Sequence, residues 1–146
     1  MSSIHFAHTI EVPQPPARVF AVLDDFSQTP KWLSRCTGIE RLTPGPNASG
    51  SKIRYAYNEA GRSGTMDGEI AARVPDQRLT MHYADNNMDV AVDFQMEAVG
   101  NGTKLTHTID ITPLGFFVKL FAGAIRKQVP KQTVAAMESL RQLLAA

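Results

Sequence analysis

Two histidines and three tyrosines are the residues of this chain best suited to chemistry. His8 sits in an alternating stretch, Ile4–Val12, with Ile4, Phe6, Ile10 and Val12 on its own face and His5, Ala7, Thr9 and Glu11 on the other. His107 holds the same kind of place in a later stretch, alongside Leu105, Ile109 and Ile111. Side chains on the apolar face of a half-buried strand point into the core, so both imidazoles are expected to face inward. An imidazole titrates near neutrality and can move protons, and its neutral form ligates metals. Tyr55, Tyr57 and Tyr83 share the inward parity. A buried tyrosine hydroxyl needs a hydrogen-bond partner, which is either a protein group or the polar end of a ligand. His5 and His82 carry the solvent parity and are read as bystanders.

The residues around these would shape an apolar pocket. Met66, Met81 and Met96 are expected on the same inward face, together with Ile70, Val92 and Phe94, and Met137 joins from the C-terminal segment. Methionine fills irregular gaps and adapts to varied ligands. Gly68 removes bulk at mid-sheet and marks a bulge or a bend. No G-x-S-x-G, phosphate-cradling loop, H-E-x-x-H or C-x-x-C is present. Asp67, Glu69, Asp89, Asp93 and Asp110 all carry the outward parity, so no inward acid is expected. Arg54 would turn inward only if the register there were off by one. No third ligand accompanies the two histidines, because Cys36 is remote, so neither a metal nor a cofactor is expected.

Short alternating segments position these side chains. Strand patterns run over residues 4–12, 38–42, 52–58, 64–74, 79–83, 89–96 and 105–111, with Asn101-Gly102 as the strongest hairpin signal. Pro13, Pro15 and Pro16 stop the first strand and start a short helix over 17–23, whose core contacts are Val19, Phe20, Val22 and Leu23. A second short helix from Ser27 carries Trp32 and Leu33. Through 116–144 apolar residues recur at three and four: Phe117, Leu120, Phe121, Ala124, Ile125, Val129, Val134, Met137, Leu140 and Leu144. This predicts one amphipathic helix roughly 43 Å long, kinked or broken by Pro130 near Arg126. Its apolar stripe needs a cover, and a curved antiparallel sheet supplies one, with any space between them a cavity. The first, phenylalanine-rich half is expected to border the pocket and its mouth, and the second half to anchor on the sheet.

The bulk properties exclude several classes. The chain has 146 residues, enough for one domain over 1–146, with 43% hydrophobic and 20% charged residues. A formal net charge of +1 gives no field to recruit nucleic acid. A single cysteine fits a reducing cytoplasm, and the N-terminus does not read as a signal peptide. The longest apolar run, 114–125, contains Lys119 and falls short of the ~20 residues a membrane span needs.

The order strand, two short helices, six strands, long helix resembles the START-like or SRPBCC superfamily, which includes polyketide cyclase/dehydrase-type proteins and START lipid-transfer domains. The stretch IEVPQPPARVFAVLDDFSQTPKW, residues 10–32, carries the resemblance: a strand, a Pro-containing turn, a Val-aromatic helix, an Asp, and a Trp about seven residues on. Gly50 matches the family's usual Gly before its third strand. The resemblance implies an α+β helix-grip fold, a seven-stranded curved antiparallel sheet with two short helices and a long C-terminal helix enclosing a cavity. It places the first strand beside the last, making His8 and His107 neighbours. It also puts Trp32 at one end of the cavity and gives Asp24 or Asp25 a capping role between the short helices.

Taken together, the expected function is binding of a small hydrophobic or aromatic, lipid- or polyketide-like molecule. The expected lining is Trp32, Tyr55, Tyr57, Met66, Ile70, Met81, Tyr83, Val92, Phe94, His107, Phe117, Phe121 and Ile125. One alternative is a polyketide cyclase or dehydratase using His107, His8 or Tyr83 in acid–base work. Another is a peripheral membrane or assembly factor using the apolar start of the helix for transient membrane contact. A monomer or homodimer suits each reading.

Overall fold

The computed structural model describes residues 3–59 and 61–146, and of Phe117 only the backbone. Seven strands form a single antiparallel sheet: β1 (Ile4–Val12), β2 (Cys36–Arg41), β3 (Lys52–Glu59), β4 (Arg62–Val74), β5 (Arg78–Ala84), β6 (Met88–Val99) and β7 (Gly102–Pro113). Their order is β1-β7-β6-β5-β4-β3-β2, so the meander from β2 to β7 closes with β1 on its far edge. Two short helices, α1 (Pro16–Asp24) and α2 (Thr29–Trp32), link β1 to β2. After β7 come α3 (Phe116–Leu120) and α4 (Ala122–Ala145). This is the α+β helix-grip arrangement that the element order implies.

Proline chemistry starts the first helix as expected. Pro15 is the N-cap and Pro16 the first helical residue, where a missing N–H costs nothing. α1 then buries Val19, Phe20, Val22 and Leu23. The two aspartates that follow divide the work. Asp25 accepts from the Ser27 backbone N–H at 3.1 Å and the Ser27 hydroxyl at 2.6 Å, forming the turn into α2. Asp24 instead holds the sheet: Arg73 donates to its two oxygens at 3.0 and 2.9 Å, and Asn47 donates to it at 3.2 Å.

Arg73 reaches Asp24 because β4 carries a bulge. Pairing with β5 passes from Ile70↔Met81 to Ala72↔Thr80, with one residue skipped. A bulge inverts the parity beyond it. Strict alternation from Met66 through Ile70 would carry Ala72 and Val74 inward as well, and it fails after Ile70. Arg73 lies opposite the buried Leu79, Val74 is 43% exposed, and the Arg73 guanidinium sits 5.1 Å above the Phe20 ring. Arg54 keeps its outward place and donates to Asp67 at 2.8 Å.

The C-terminal segment differs from the expected single helix over 116–144. The break falls at Phe121, between α3 and α4, and Pro130 lies inside an uninterrupted 24-residue α4. The missing Pro130 N–H leaves one carbonyl a turn earlier without its partner. Burial of Val129 and Thr133 on either side keeps the helix continuous. The buried residues of α4 are Ala122, Val129, Thr133, Ala136, Met137, Leu140 and Leu144, so Thr133 takes the inward place expected of Val134, which is 43% exposed.

Gly68 sets the curvature of the sheet. It pairs with Tyr83, and a Cβ built on it would meet the His82 carbonyl oxygen at 1.8 Å and Tyr83 Cα at 2.5 Å. With no side chain between them, Tyr55 on β3 and Tyr83 on β5 meet across β4 and stack at 4.5 Å with 6° between planes. Gly68→Ala should lower unfolding free energy in urea by about 2 kcal/mol or more through overpacking against backbone. Gly123→Ala, where nothing lies within 4 Å, should instead raise stability by a few tenths of a kcal/mol to about 1 kcal/mol, as Ala replaces Gly within a helix.

Candidate ligand-binding cavity

The space between sheet and helix is filled unevenly. At one end Trp32 from α2 packs edge-on against Phe94 (5.9 Å, 85°), and Phe94 stacks on His107 (4.4 Å, 13°). Leu23, Met81 and Val92 complete this end, leaving a void of only about 20 Å³, room for roughly one water. At the other end, under the first turns of α4, the sheet and helix diverge around a cavity of about 230 Å³.

Strands supply most of the cavity wall: Tyr55 and Tyr57 of β3, Met66 of β4, Tyr83 of β5, Met88 and Val90 of β6, and Ile109 and Ile111 of β7. The helix supplies Ala124, Ile125, Gln128, Val129 and Gln132, which recur at one and four along a single face. Arg35, from the loop between α2 and β2, and Glu59, at the end of β3, complete the lining. Glu59, Ala124 and Gln128 are exposed and mark the mouth. The walls are thus apolar with polar groups gathered at one side, the usual pattern of a small-molecule site.

That polar side is a chain of hydrogen bonds. Arg35 Nη1 donates to Gln132 Oε1, and Gln132 Nε2 donates to Glu59 Oε1 at 2.6 Å. It ties the α2–β2 loop, α4 and β3 together across the opening.

Of the residues expected to line a pocket, Tyr55, Tyr57, Met66, Tyr83 and Ile125 border the large cavity. Trp32, Met81, Val92, Phe94 and His107 border the small void instead. Ile70 is fully buried in the core and touches neither space. Phe121 is 62% exposed and points away from the cavity, because the chain turns at that residue before α4 begins. The side chain of Phe117 lies outside the described residues. His8 does lie opposite His107 in the β1–β7 register, but it is half-buried, stacks beside Phe6, and does not reach the cavity.

Arg35, Glu59, Gln128 and Gln132 were not legible as site residues. The glutamines carried a signal, since they sit four apart beside the apolar pair Ile125 and Val129. Arg35 and Glu59 carried none, because loop and strand-end geometry brings them in. Glu59 brings an acid to the rim, at an exposed strand end, and is not one of the outward-parity acids weighed from the sequence.

Burial sets the protonation of the inner groups. It drives His107 down to about 3, helped by the nearby Arg35 and His8 and opposed by Asp93. It pushes Tyr55 up to about 12, with Arg35 acting in the opposite direction, and raises Tyr83 further still. The Cys36 thiol is likewise buried and pushed up to about 11. At neutral pH Tyr55 and Tyr83 therefore keep their hydroxyl protons and His107 is a neutral ring. The His107 Nδ1 and Trp32 Nε1 atoms are buried without a hydrogen-bond partner among the described residues. Among the described residues, no group of three or more His, Cys, Asp or Glu could hold a metal ion. No helix among them is long and apolar enough to cross a membrane.

A curved seven-stranded sheet gripping a C-terminal helix over a hollow defines a START-like helix-grip protein. The sequence profile of the family described as polyketide cyclase / dehydrase and lipid transport matches residues 3–145, and the chain belongs to that family. Among solved structures it is similar to the Zhui aromatase/cyclase from Streptomyces sp. R1128, with a TM-score of 0.81 and 16% identity over 98% of this chain and 94% of that one. It is also similar to a START superfamily protein from Mycobacterium smegmatis, with a TM-score of 0.71 and 18% identity over 96% and 98%. At such identities the likeness carries the fold alone. No curated protein matches the chain in sequence.

The depressed His107 makes a pH prediction. The unfolded imidazole takes a proton near 6.5 and the folded one only near 3. In that window the unfolded state binds more protons, so stability falls as pH falls. Between pH 7 and pH 5 the loss from this residue should be about 2 kcal/mol. His107→Phe, which keeps a ring against Phe94, should remove that part of the slope when urea unfolding is compared at the two pH values. The His5–Asp110 and His82–Asp89 pairs are common to both proteins and cancel in the comparison.

Proposed function

We propose that this protein binds a small, mainly apolar molecule in the cavity between β3–β7 and the first half of α4. The observation that carries this reading is the uneven packing. A hollow of about 230 Å³ is walled by Met66, Met88, Val90, Ile109, Ile111 and Val129, while the space at the Trp32–Phe94 end of the sheet is only about 20 Å³. Leaving such a wall uncovered forfeits dispersion contacts and burial, which a ligand would restore. The volume lies just below the ~300–1,000 Å³ of drug-sized sites, which favours a compact ligand or one that extends through the mouth.

Family membership is compatible with a catalytic variant of the same site. General acid–base work at neutral pH asks for a group that titrates near it. His107 titrates near 3 and Tyr55 near 12, and the Glu59 carboxylate is engaged by Gln132. These positions support a binding role over proton transfer by those residues.

Filling the hollow tests the proposal. Met88 is half-buried on the cavity wall, so Met88→Trp should occupy the space without disturbing the filled end. Binding of 2-acetylnaphthalene, followed by its fluorescence, should weaken at least tenfold in the variant while its urea midpoint stays close to that of the parent. Equal binding by both proteins would place the ligand elsewhere.

A second reading rests on the exposed apolar residues beside the mouth. Leu114, Leu120 and Phe121 are 46%, 62% and 62% exposed, and the cations Lys119, Arg126 and Lys127 are exposed nearby. Apolar tips ringed by cations suit transient contact with an anionic bilayer surface. Co-sedimentation with phosphatidylserine-containing liposomes should occur for the parent and drop severalfold for Phe121→Asp. No sedimentation of the parent would discard this reading.

A further inference from the structure

The cavity contains one cation in an unusual position. Among the described residues, Arg35 is the only Lys or Arg that lines it, and it also borders the void beside His107. Arg35 is half-buried. The ion pairs among the described residues engage Arg54, Arg73, Arg78, Arg141 and Lys52 with carboxylates, and none engages Arg35. Its hydrogen-bond acceptors are neutral, the amide oxygen of Gln132 and the hydroxyl of Tyr55.

Charges removed from water are normally matched by an opposite charge. A guanidinium offers five donors in a planar fork that suits a carboxylate, and two neutral oxygens use only part of that capacity. The nearest acid in the chain of contacts, Glu59, is bonded to Gln132 and is exposed at the mouth. Gln132 thus orients the guanidinium and leaves its charge uncancelled. Beside it, the protonated Tyr55 hydroxyl adds a neutral donor.

We infer that Arg35 is the headgroup site of this cavity, and that the ligand is an apolar acid whose carboxylate lies against the guanidinium while its hydrocarbon part lies on the Met66, Met88, Val90 and Ile109 wall. This rests on the cavity-binding reading above and deepens it, from an apolar molecule to an apolar anion. The role of Gln132 follows from the same geometry. A carboxylate at position 132 would neutralise Arg35 from within and exclude the ligand's own.

Two isosteric probes separate the two levels of the claim. 2-Naphthoate and 2-acetylnaphthalene share a ring system and differ in carrying an oxygen anion or a methyl group. The parent protein should bind 2-naphthoate roughly tenfold more tightly, the effect of a charge-assisted hydrogen-bonded pair. Arg35→Met, which retains an apolar stem of similar length, should erase that preference by weakening 2-naphthoate far more than 2-acetylnaphthalene. Gln132→Glu, which keeps Arg35, should erase the preference as well. Urea midpoints of both variants, with the retained neutral-probe binding, report that the cavity is still formed. Equal binding of the two probes by the parent would overturn the assignment of an acid and leave cavity binding standing. A preference that survives in Arg35→Met would overturn the role of Arg35. Binding of neither probe by the parent would overturn both readings.

Discussion

Burial of one face of α4 on the concave side of the sheet is the constraint on which the rest depends. Met137 and Leu140 are fully buried, and Leu144 nearly so. Together these side chains remove several hundred square ångströms of apolar surface from water, worth about 1.5–3 kcal/mol for each large residue. Ahead of Thr133 in α4 only Ala122 and Val129 are buried, so the helix between them stands off the sheet. Small and polar residues, Ala124, Gln128 and Gln132, face the gap there. The hollow follows from where the helix is anchored.

The sheet must bend to receive the helix, and its own sequence arranges the bend. Gly68 lets β5 approach β4 more closely than any side chain would allow, and the bulge after Ile70 turns the far part of β4 toward α1. One consequence is the stack of Tyr55 on Tyr83, which forms the floor between hollow and core. Another is the Arg73–Asp24 pair, which fixes α1, and through it α2, to the sheet. Since α2 brings Trp32 into the filled end and leads into Arg35 at the hollow end, packing and binding chemistry share one short segment.

Much of this was legible in the residues. Alternation located all seven strands, and the order of elements with the 10–32 stretch implied the fold and the pairing of His8 with His107. Tyr55, Tyr57, Met66, Tyr83 and Ile125 were identified as wall residues from parity and helical spacing alone. The failures have physical causes. Alternation cannot reveal a bulge, so Arg73 and Val74 exchanged faces. Helix periodicity does not say where a helix meets its sheet, so Phe121 was assigned to the pocket although the chain turns outward there. Proline chemistry marks a weak point, yet packing at Val129 and Thr133 outweighed it and the break fell nine residues earlier. Inward parity does not separate core from cavity, so it grouped Ile70, Val92 and Phe94 with the wall residues, whereas Val92 and Phe94 border the small void and Ile70 borders neither space. Arg35 and Glu59 come from a loop and a strand end, where no periodic rule applies.

The six methionines offer the most direct test of the central claim, that the hollow under α4 is the place where a ligand binds. Met66 and Met88 line it, whereas Met96 and Met137 are buried away from it. In spectra of the protein labelled with carbon-13 at the methionine methyls, titration with 2-naphthoate should shift Met66 and Met88 in a saturable way and leave Met96 and Met137 in place. Saturable shifts confined to Met96 or Met137, or no shifts at all, would contradict the account.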